Sequence, residues 1–336
     1  MLQDNAMLRH KMKRTGLWTL ALTALLLLPG ALQAQTPQWP PKTVRIVVPF
    51  APGSTPDLVG RLLADGLQAR HPGSSFIIEN KAGASGNLGT EVVARAAPDG
   101  ATLGISLGGP LAINTLLFAS LPYNPDTDIA PVSLLTQLPS VLVVPTSLGV
   151  NTVAEFVARL KSDKKGLAYG SIGVGSLSQL CMEAIGQKAG AHMLHVAYAG
   201  SPNTVTALIR SDVQAACLPA ISVTPLLSGG AIKILAVSTP VRSVFLPDVP
   251  TLKESGIDVQ SDAWNALIAP GQTPPAIIAT INADVRQILS EPAVIEKLKL
   301  QLIAPAPSSP EELRKKITDE KALWADVIHA ANIRID

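Results

Sequence analysis

From Val44 onward the chain alternates short β-branched runs with segments of helical spacing, and that alternation limits the fold more than any other feature. Val44 to Val48 is followed by Leu58, Val59, Leu62, Leu63 and Leu67 at helical intervals. Phe76 to Ile78 is followed by Leu88, Val92, Val93 and Ala96, and then comes Thr102 to Ile105. Apolar spacing that switches between strand and helix periods is the pattern of βαβ units on a parallel sheet. A second alternation begins near Leu167, with helices after Ser176 and Pro202 and strands over Val213 to Cys217 and Ile232 to Val237. The expected fold class is therefore α/β.

With 336 residues the chain exceeds what one core usually serves, which favours two domains. The final third returns to long helices. One follows Thr273-Pro274, and one follows Ser309-Pro310-Glu311-Glu312, a capping box with Pro at the first helical position. Placing both helices back on the first sheet makes Val141 to Val144 and Trp264 to Ala269 the strands that cross between domains. The expected division is residues 42–143 plus 265–336 as domain 1 and 144–264 as domain 2, joined by a two-strand hinge with a ligand cleft between them.

The first 34 residues read as a secretory signal. Arg9, Lys11, Lys13 and Arg14 form a basic start, Leu17 to Leu28 an apolar run, and Ala31-Leu32-Gln33-Ala34 a cleavage site. The apolar run, ended by Pro29-Gly30, falls short of the ~20 residues a membrane span needs. Met12 offers a second start. Removing residues 1–34 takes away four basic side chains and Asp4, so the net charge of +2 becomes −1. A nearly neutral chain without Lys/Arg runs carries no electrostatic footprint for nucleic acid or for an anionic membrane. An exported, periplasmic monomer is expected.

Loops rich in Gly, Ser and Thr stand directly before predicted helices at Gly53-Ser54-Thr55, Gly83-Ala84-Ser85-Gly86, Gly170 to Ser176, and Gly200-Ser201. Each leaves backbone N–H groups at a helix start, where partial positive charge suits a carboxylate or phosphate. Ordinary capping explains any one of them; two from each domain facing one cleft favour an anion site. Asp57, in the first turn of its helix, either complements the helix dipole or accepts from a ligand ammonium or a positioning water. Tyr198 reads equally as pocket wall or core.

Gly104-Ile105-Ser106-Leu107-Gly108 matches a nucleophile-elbow pattern, which would make Ser106 the nucleophile of a serine hydrolase. The Gly109-Pro110 that follows delays the helix such an elbow must open. His192 and His195 are three apart on a predicted strand and point to opposite faces, so neither a metal site nor a cofactor is expected. Cys181 falls on the apolar stripe of Leu177, Leu180, Ala184 and Ile185 and reads as a buried thiol, with a bridge to Cys217 the alternative.

The runs Val44-Arg45-Ile46-Val47-Val48-Pro49-Phe50-Ala51-Pro52-Gly53, Glu79 to Gly89 and Ala97-Pro98-Asp99-Gly100 resemble the Bug family, the extracytoplasmic solute receptors of tripartite tricarboxylate transporters. Pro110 to Asn114, Tyr169-Gly170-Ser171, Leu246 to Thr251 and Trp264 extend the likeness across the chain. The resemblance implies a type II periplasmic-binding fold that closes on its ligand and is not an enzyme. The ligand would be a small carboxylate held largely by main-chain donors, with transporter subunits or a sensor kinase as partner. The expected donors are Ser54, Thr55, Ala84 and Ser85 from one domain and Ser171, Ser176 and Ser201 from the other, with Phe50 and Tyr198 as walls and Asp57 as the ambiguous acid. Asn265 stands where many members carry an aromatic residue.

Overall fold

The computed structural model describes residues 39–163, 166–198 and 200–335; the expected signal over residues 1–34 lies outside them. The first sheet is built from β1 (Thr43–Val48), β2 (Ser75–Asn80), β3 (Thr102–Leu107), β4 (Ile129–Leu138), β10 (Ala263–Pro270) and β11 (Ala304–Pro305). Its order is β11-β4-β10-β3-β1-β2. The second sheet holds β5 (Ser140–Pro145), β6 (Ala168–Ser171), β7 (Leu194–Ala197), β8 (Ala215–Pro219) and β9 (Ile232–Val237), in the order β7-β6-β8-β5-β9. In each sheet three strands are parallel, β2-β1-β3 and β7-β6-β8, and antiparallel strands complete one side.

The β-branched runs become strands because both sheet faces are covered, so both sets of alternating side chains bury. In β1, Val44, Ile46 and Val48 join Val59, Leu63 and Leu67 of helix α1 (Thr55–Arg70), while Val47 turns to the opposite core beside Val93 of α2 (Asn87–Ala94). In β5, Leu142 and Val144 pack under α3 (Val153–Ser162) and α4 (Leu177–Ala189). Val141 and Val143 face the core of α5 (Ser201–Ile209). Helix α6 (Pro275–Leu289) covers the first sheet with Ile277, Ile281 and Val285, as its periodicity predicts, and α7 (Pro292–Lys299) follows it.

Two features differ from the sequence reading. Val141 to Val144 lies wholly in the second sheet, so the chain changes sheets at Pro139, and the expected boundary at 143/144 falls inside β5. Trp264 to Ala269 lies wholly in the first, and the return crossing is the segment 238–262. The two crossings are fastened side by side. Ser238 N–H donates to Ser140 O at 2.9 Å, Ser261 N–H to Ser238 O at 2.9 Å, and Gln137 Nε2 to Asp262 Oδ2 at 3.0 Å.

The last helix, α8 (Pro310–Ala331), does not stay on the first sheet. Leu313 and Ile317 join the core of Trp264 and Ala266, whereas Trp324, Val327 and Ile328 join the second core with Leu142 and Ile185. Cys181 and Cys217 form a disulfide across a Cα separation of 6.2 Å, joining α4 to β8 and correcting the free-thiol reading. Both are buried, Cys181 as its apolar stripe implied; packing α4 on β8 brings them together, and Ser178 Oγ donates to Cys217 O at 2.6 Å in the same contact. Among the described residues no helix is long and apolar enough to cross a membrane.

Candidate functional site

A cavity of about 420 Å³ lies between the two sheets' helix-bearing loops. Its first-lobe wall includes Phe50, Ser85 and the turn Gly108 to Asn114; its second-lobe wall is Ile172 to Leu177. Trp264 and Glu320 stand where β10 meets α8.

The first-lobe loop is held in an unusual conformation. Ala84 and Ser85 have φ of 45° and 55°, left-handed values that non-glycine residues seldom adopt, and Gly86 follows at 90°. Strain of this kind persists only where the surroundings over-determine it. Here a buried polar network does so. Asn114 Nδ2 donates to Asn87 Oδ1 at 2.6 Å and reaches Ser85 O at 3.4 Å, and the Tyr123 hydroxyl has one proton to share between Pro110 O at 2.8 Å and Asn87 Oδ1 at 3.0 Å. Burial pushes the Tyr123 phenol far above its ordinary pKa, so it remains a donor. Gly86 must be glycine on two counts, because a Cβ there would also stand 2.8 Å from Pro110 Cγ and 3.1 Å from Phe50 Cε2.

The second-lobe loop is ordered by its own hydroxyls. Ser171 is fully buried; its Oγ lies 2.7 Å from His195 Nε2 and donates to Gly173 O at 3.0 Å. Burial lowers the His195 pKa, and its ring stacks on Tyr169 at 5.0 Å. Ser176 caps α4, accepting from Gln179 N–H at 3.3 Å and donating to Gly173 O at 2.6 Å. The start of α4 therefore abuts the cavity, as does the loop before α2, and both bring the positive end of a helix dipole.

Of the expected site residues, the cavity brings together Phe50, Ser85 and Ser176; Ala84 is exposed and is not in its wall. Ser54, Thr55, Asp57, Ser171, Tyr198 and Ser201 are not in its wall. Ser54 Oγ donates to Ala51 O at 2.7 Å, and Thr55 and Ser201 are half-buried first residues of α1 and α5. Asp57 is 2% exposed with both oxygens engaged, accepting from Gly53 N–H at 2.8 Å, Arg61 Nε at 3.0 Å and Asn80 Nδ2 at 2.9 Å. Burial pulls its pKa up, but those hydrogen bonds outweigh burial and hold it below the usual carboxylate range. Asp57 thus fastens its loop to α1 and β2. Tyr198 packs over Gly170, where a Cβ would stand 3.2 Å from its ring. Ser106 is fully buried inside β3, its Oγ 3.3 Å from Thr90 Oγ1, so it is not placed to meet a substrate as an exposed nucleophile would be.

Asn114, Trp264 and Glu320 were not expected at the site. Asn114 and Trp264 stood in family-like runs, which was the available signal; Glu320 had none. It is 8% exposed, accepting from Trp264 Nε1 at 2.5 Å and Trp324 Nε1 at 3.3 Å. Burial pushes its carboxyl up to about 7, with Asp262 adding to the rise while Lys316 and the two indoles oppose it.

Two α/β lobes joined by paired crossings, with a cleft at the carboxyl ends of their parallel strands, define a two-domain protein of the periplasmic-binding class. Residues 59–333 match the tripartite tricarboxylate transporter family receptor, and the chain belongs to that family. It is 31% identical over 299 residues to Protein BugT of Bordetella pertussis, covering 88% of this chain and 91% of BugT. The solved structure of R. palustris Rpa4515 with adipate superposes with a TM-score of 0.75 at 33% identity, covering 88% of this chain and 99% of that one. MatC from Rhodopseudomonas palustris with bound malate superposes at 0.70 and 32% identity, covering 86% and 100%.

Proposed function

We propose that this protein is a periplasmic receptor that captures a small organic carboxylate between its two lobes and presents it to a tripartite transporter. The observation that carries the reading is one cavity walled by Ser85 of the strained loop Gly83–Gly86 on one lobe and by the start of α4 on the other. Both offer backbone N–H groups at helix starts, a chemistry suited to carboxylate oxygens. The adipate and malate bound by the two R. palustris relatives support the same ligand class.

The lobes are residues 39–138 together with 263–335, and Ser140 to Val237, with the crossings at Pro139 and 238–262 as hinge. Ligand that touches both walls binds the closed arrangement better than the open one and so shifts the population toward closure, which the membrane partner reads. Ser106 takes no part, and the chain works by binding alone.

Calorimetric titration with mono-, di- and tricarboxylates tests the reading, using wild type and Ser85→Trp. The indole should fill the cavity mouth and weaken binding of whichever carboxylate binds by about a hundredfold or more, the loss of several kcal/mol. Unchanged affinity in the variant would remove the loop from the site.

A further inference from the structure

The charged side chains in the cavity wall, among the described residues, are both acids, Asp262 and Glu320. Asp262 has a counter-charge, pairing with Lys316 Nζ at 3.6 Å and accepting from Gln137 Nε2 at 3.0 Å. Lys316 leans over the Trp264 ring, 5.5 Å from its centroid, outside the cavity wall. Glu320 has no such partner in contact; the donors on its two oxygens are neutral indoles. Most of the remaining wall is apolar, including Phe50, Leu107, Ile113, Ile172 and Trp264.

Glu320 and Ser85 line the same cavity, on either side of the turn at Gly108-Gly109. A Cβ on Gly108 would stand 3.0 Å from Glu320 Oε1, and one on Gly109, the next residue, would stand 4.0 Å from Ser85 O. A carboxylate seated at the Ser85 loop shares this largely apolar cavity with Glu320, where like charges repel more strongly than in water. The loop amides and a proton on Glu320 can meet one ligand charge. A second carboxylate in the same space would find no cation in the wall to offset Glu320 and Asp262.

We infer that the ligand of this cleft is an organic acid with a single carboxylate and an apolar body, and that Glu320 sets the preference against di- and tricarboxylates. The inference rests on the receptor reading above and narrows it. The groups that face Glu320 are Lys316 on its own helix, Asp262 at the end of the return crossing, and the Trp264 and Trp324 indoles. Their balance leaves its carboxyl titrating near pH 7, so an incoming anion raises its proton affinity further and capture tightens as the pH falls.

Hexanoate and adipate share a carbon count and differ by one carboxylate, which makes them the discriminating pair. Purified protein is titrated calorimetrically with hexanoate, adipate and citrate at about pH 8 and about pH 6.5, as wild type and as Glu320→Gln. At the higher pH hexanoate should bind at least about tenfold more tightly than adipate or citrate, a difference of about 1.4 kcal/mol. In Glu320→Gln, which keeps an acceptor for Trp264, that gap should close to less than about threefold while hexanoate binding persists. Tighter binding of adipate or citrate than of hexanoate, or a variant with the gap intact, overturns the inference. Should the variant fail to fold, the wild-type ratio of hexanoate to adipate affinity serves instead: it should shrink at the lower pH, and a constant ratio overturns the inference. Binding of a sugar or free amine with silence from all three acids would instead refute the receptor reading.

Discussion

Glu320 is the residue whose chemistry its sequence neighbours conceal. Within Thr318-Asp319-Glu320-Lys321 it looks like any exposed helical acid, and only the packing of α8 against β10 buries it between two tryptophans. Its folded-state pKa is raised from 4.5 to about 7, so the native state binds more protons than the unfolded chain between those values. Stability from this group is present below about pH 4.5 and is lost as the pH rises through about 7. In denaturant titrations Glu320→Gln should flatten that decline and be the more stable form at about pH 8, by on the order of 2 kcal/mol. A variant whose stability tracks wild type at every pH would contradict the assignment. Asp57 teaches the converse: a helix-start acid in a glycine-rich loop suggested ligand contact, yet Gly53, Arg61 and Asn80 take its oxygens. Such ambiguity is built into sequence, because the same residue type serves a loop and a ligand equally well.

At the scale of elements, most of the structure was legible. β1 and α1 follow from apolar periodicity because each has a core to bury into, and Ser309 forms the capping box its spacing predicts. Its Oγ accepts from Glu312 N–H at 3.1 Å, and its N–H donates to Glu312 Oε2 at 2.7 Å. Ser309→Ala should lower the unfolding free energy by about 1 kcal/mol in a denaturant titration, without changing ligand affinity. The disulfide was less legible, since spacing in a chain does not state which helix lies on which strand. It closes a loop across a sequence separation of 36 residues, which constrains the unfolded chain. Reduction, or Cys181→Ser, should therefore cost about 3 kcal/mol in the same titration. No change on reduction would mean the bridge is not formed in solution. The strained turn at Ala84-Ser85 was legible as a glycine-rich loop but not as strain, which arises from Asn114 and Tyr123 reaching in from distant segments.

For the whole molecule, the two-sheet plan followed from two successive alternations of strand and helix patterns, while the crossings did not. β4 and β5 are separated by Pro139 alone, so no loop-length gap in the sequence marked the change of sheet. The role of α8 was hidden in the same way: its apolar stripe states that it packs, and only the fold shows that one end meets each lobe. A helix that touches both lobes beside the fastened crossings gives the hinge a second connection, with Glu320 near its middle. The central claim is that the cleft between these lobes holds a carboxylate. The most direct measurement is thermal unfolding of the protein, stripped of co-purified ligand by unfolding and refolding, with carboxylates, sugars and free amines in turn. A ligand at 100 times its Kd adds about 2.7 kcal/mol, enough to raise the midpoint visibly. The account predicts a rise confined to carboxylates; a rise with a sugar or a free amine, and none with any carboxylate, would contradict it.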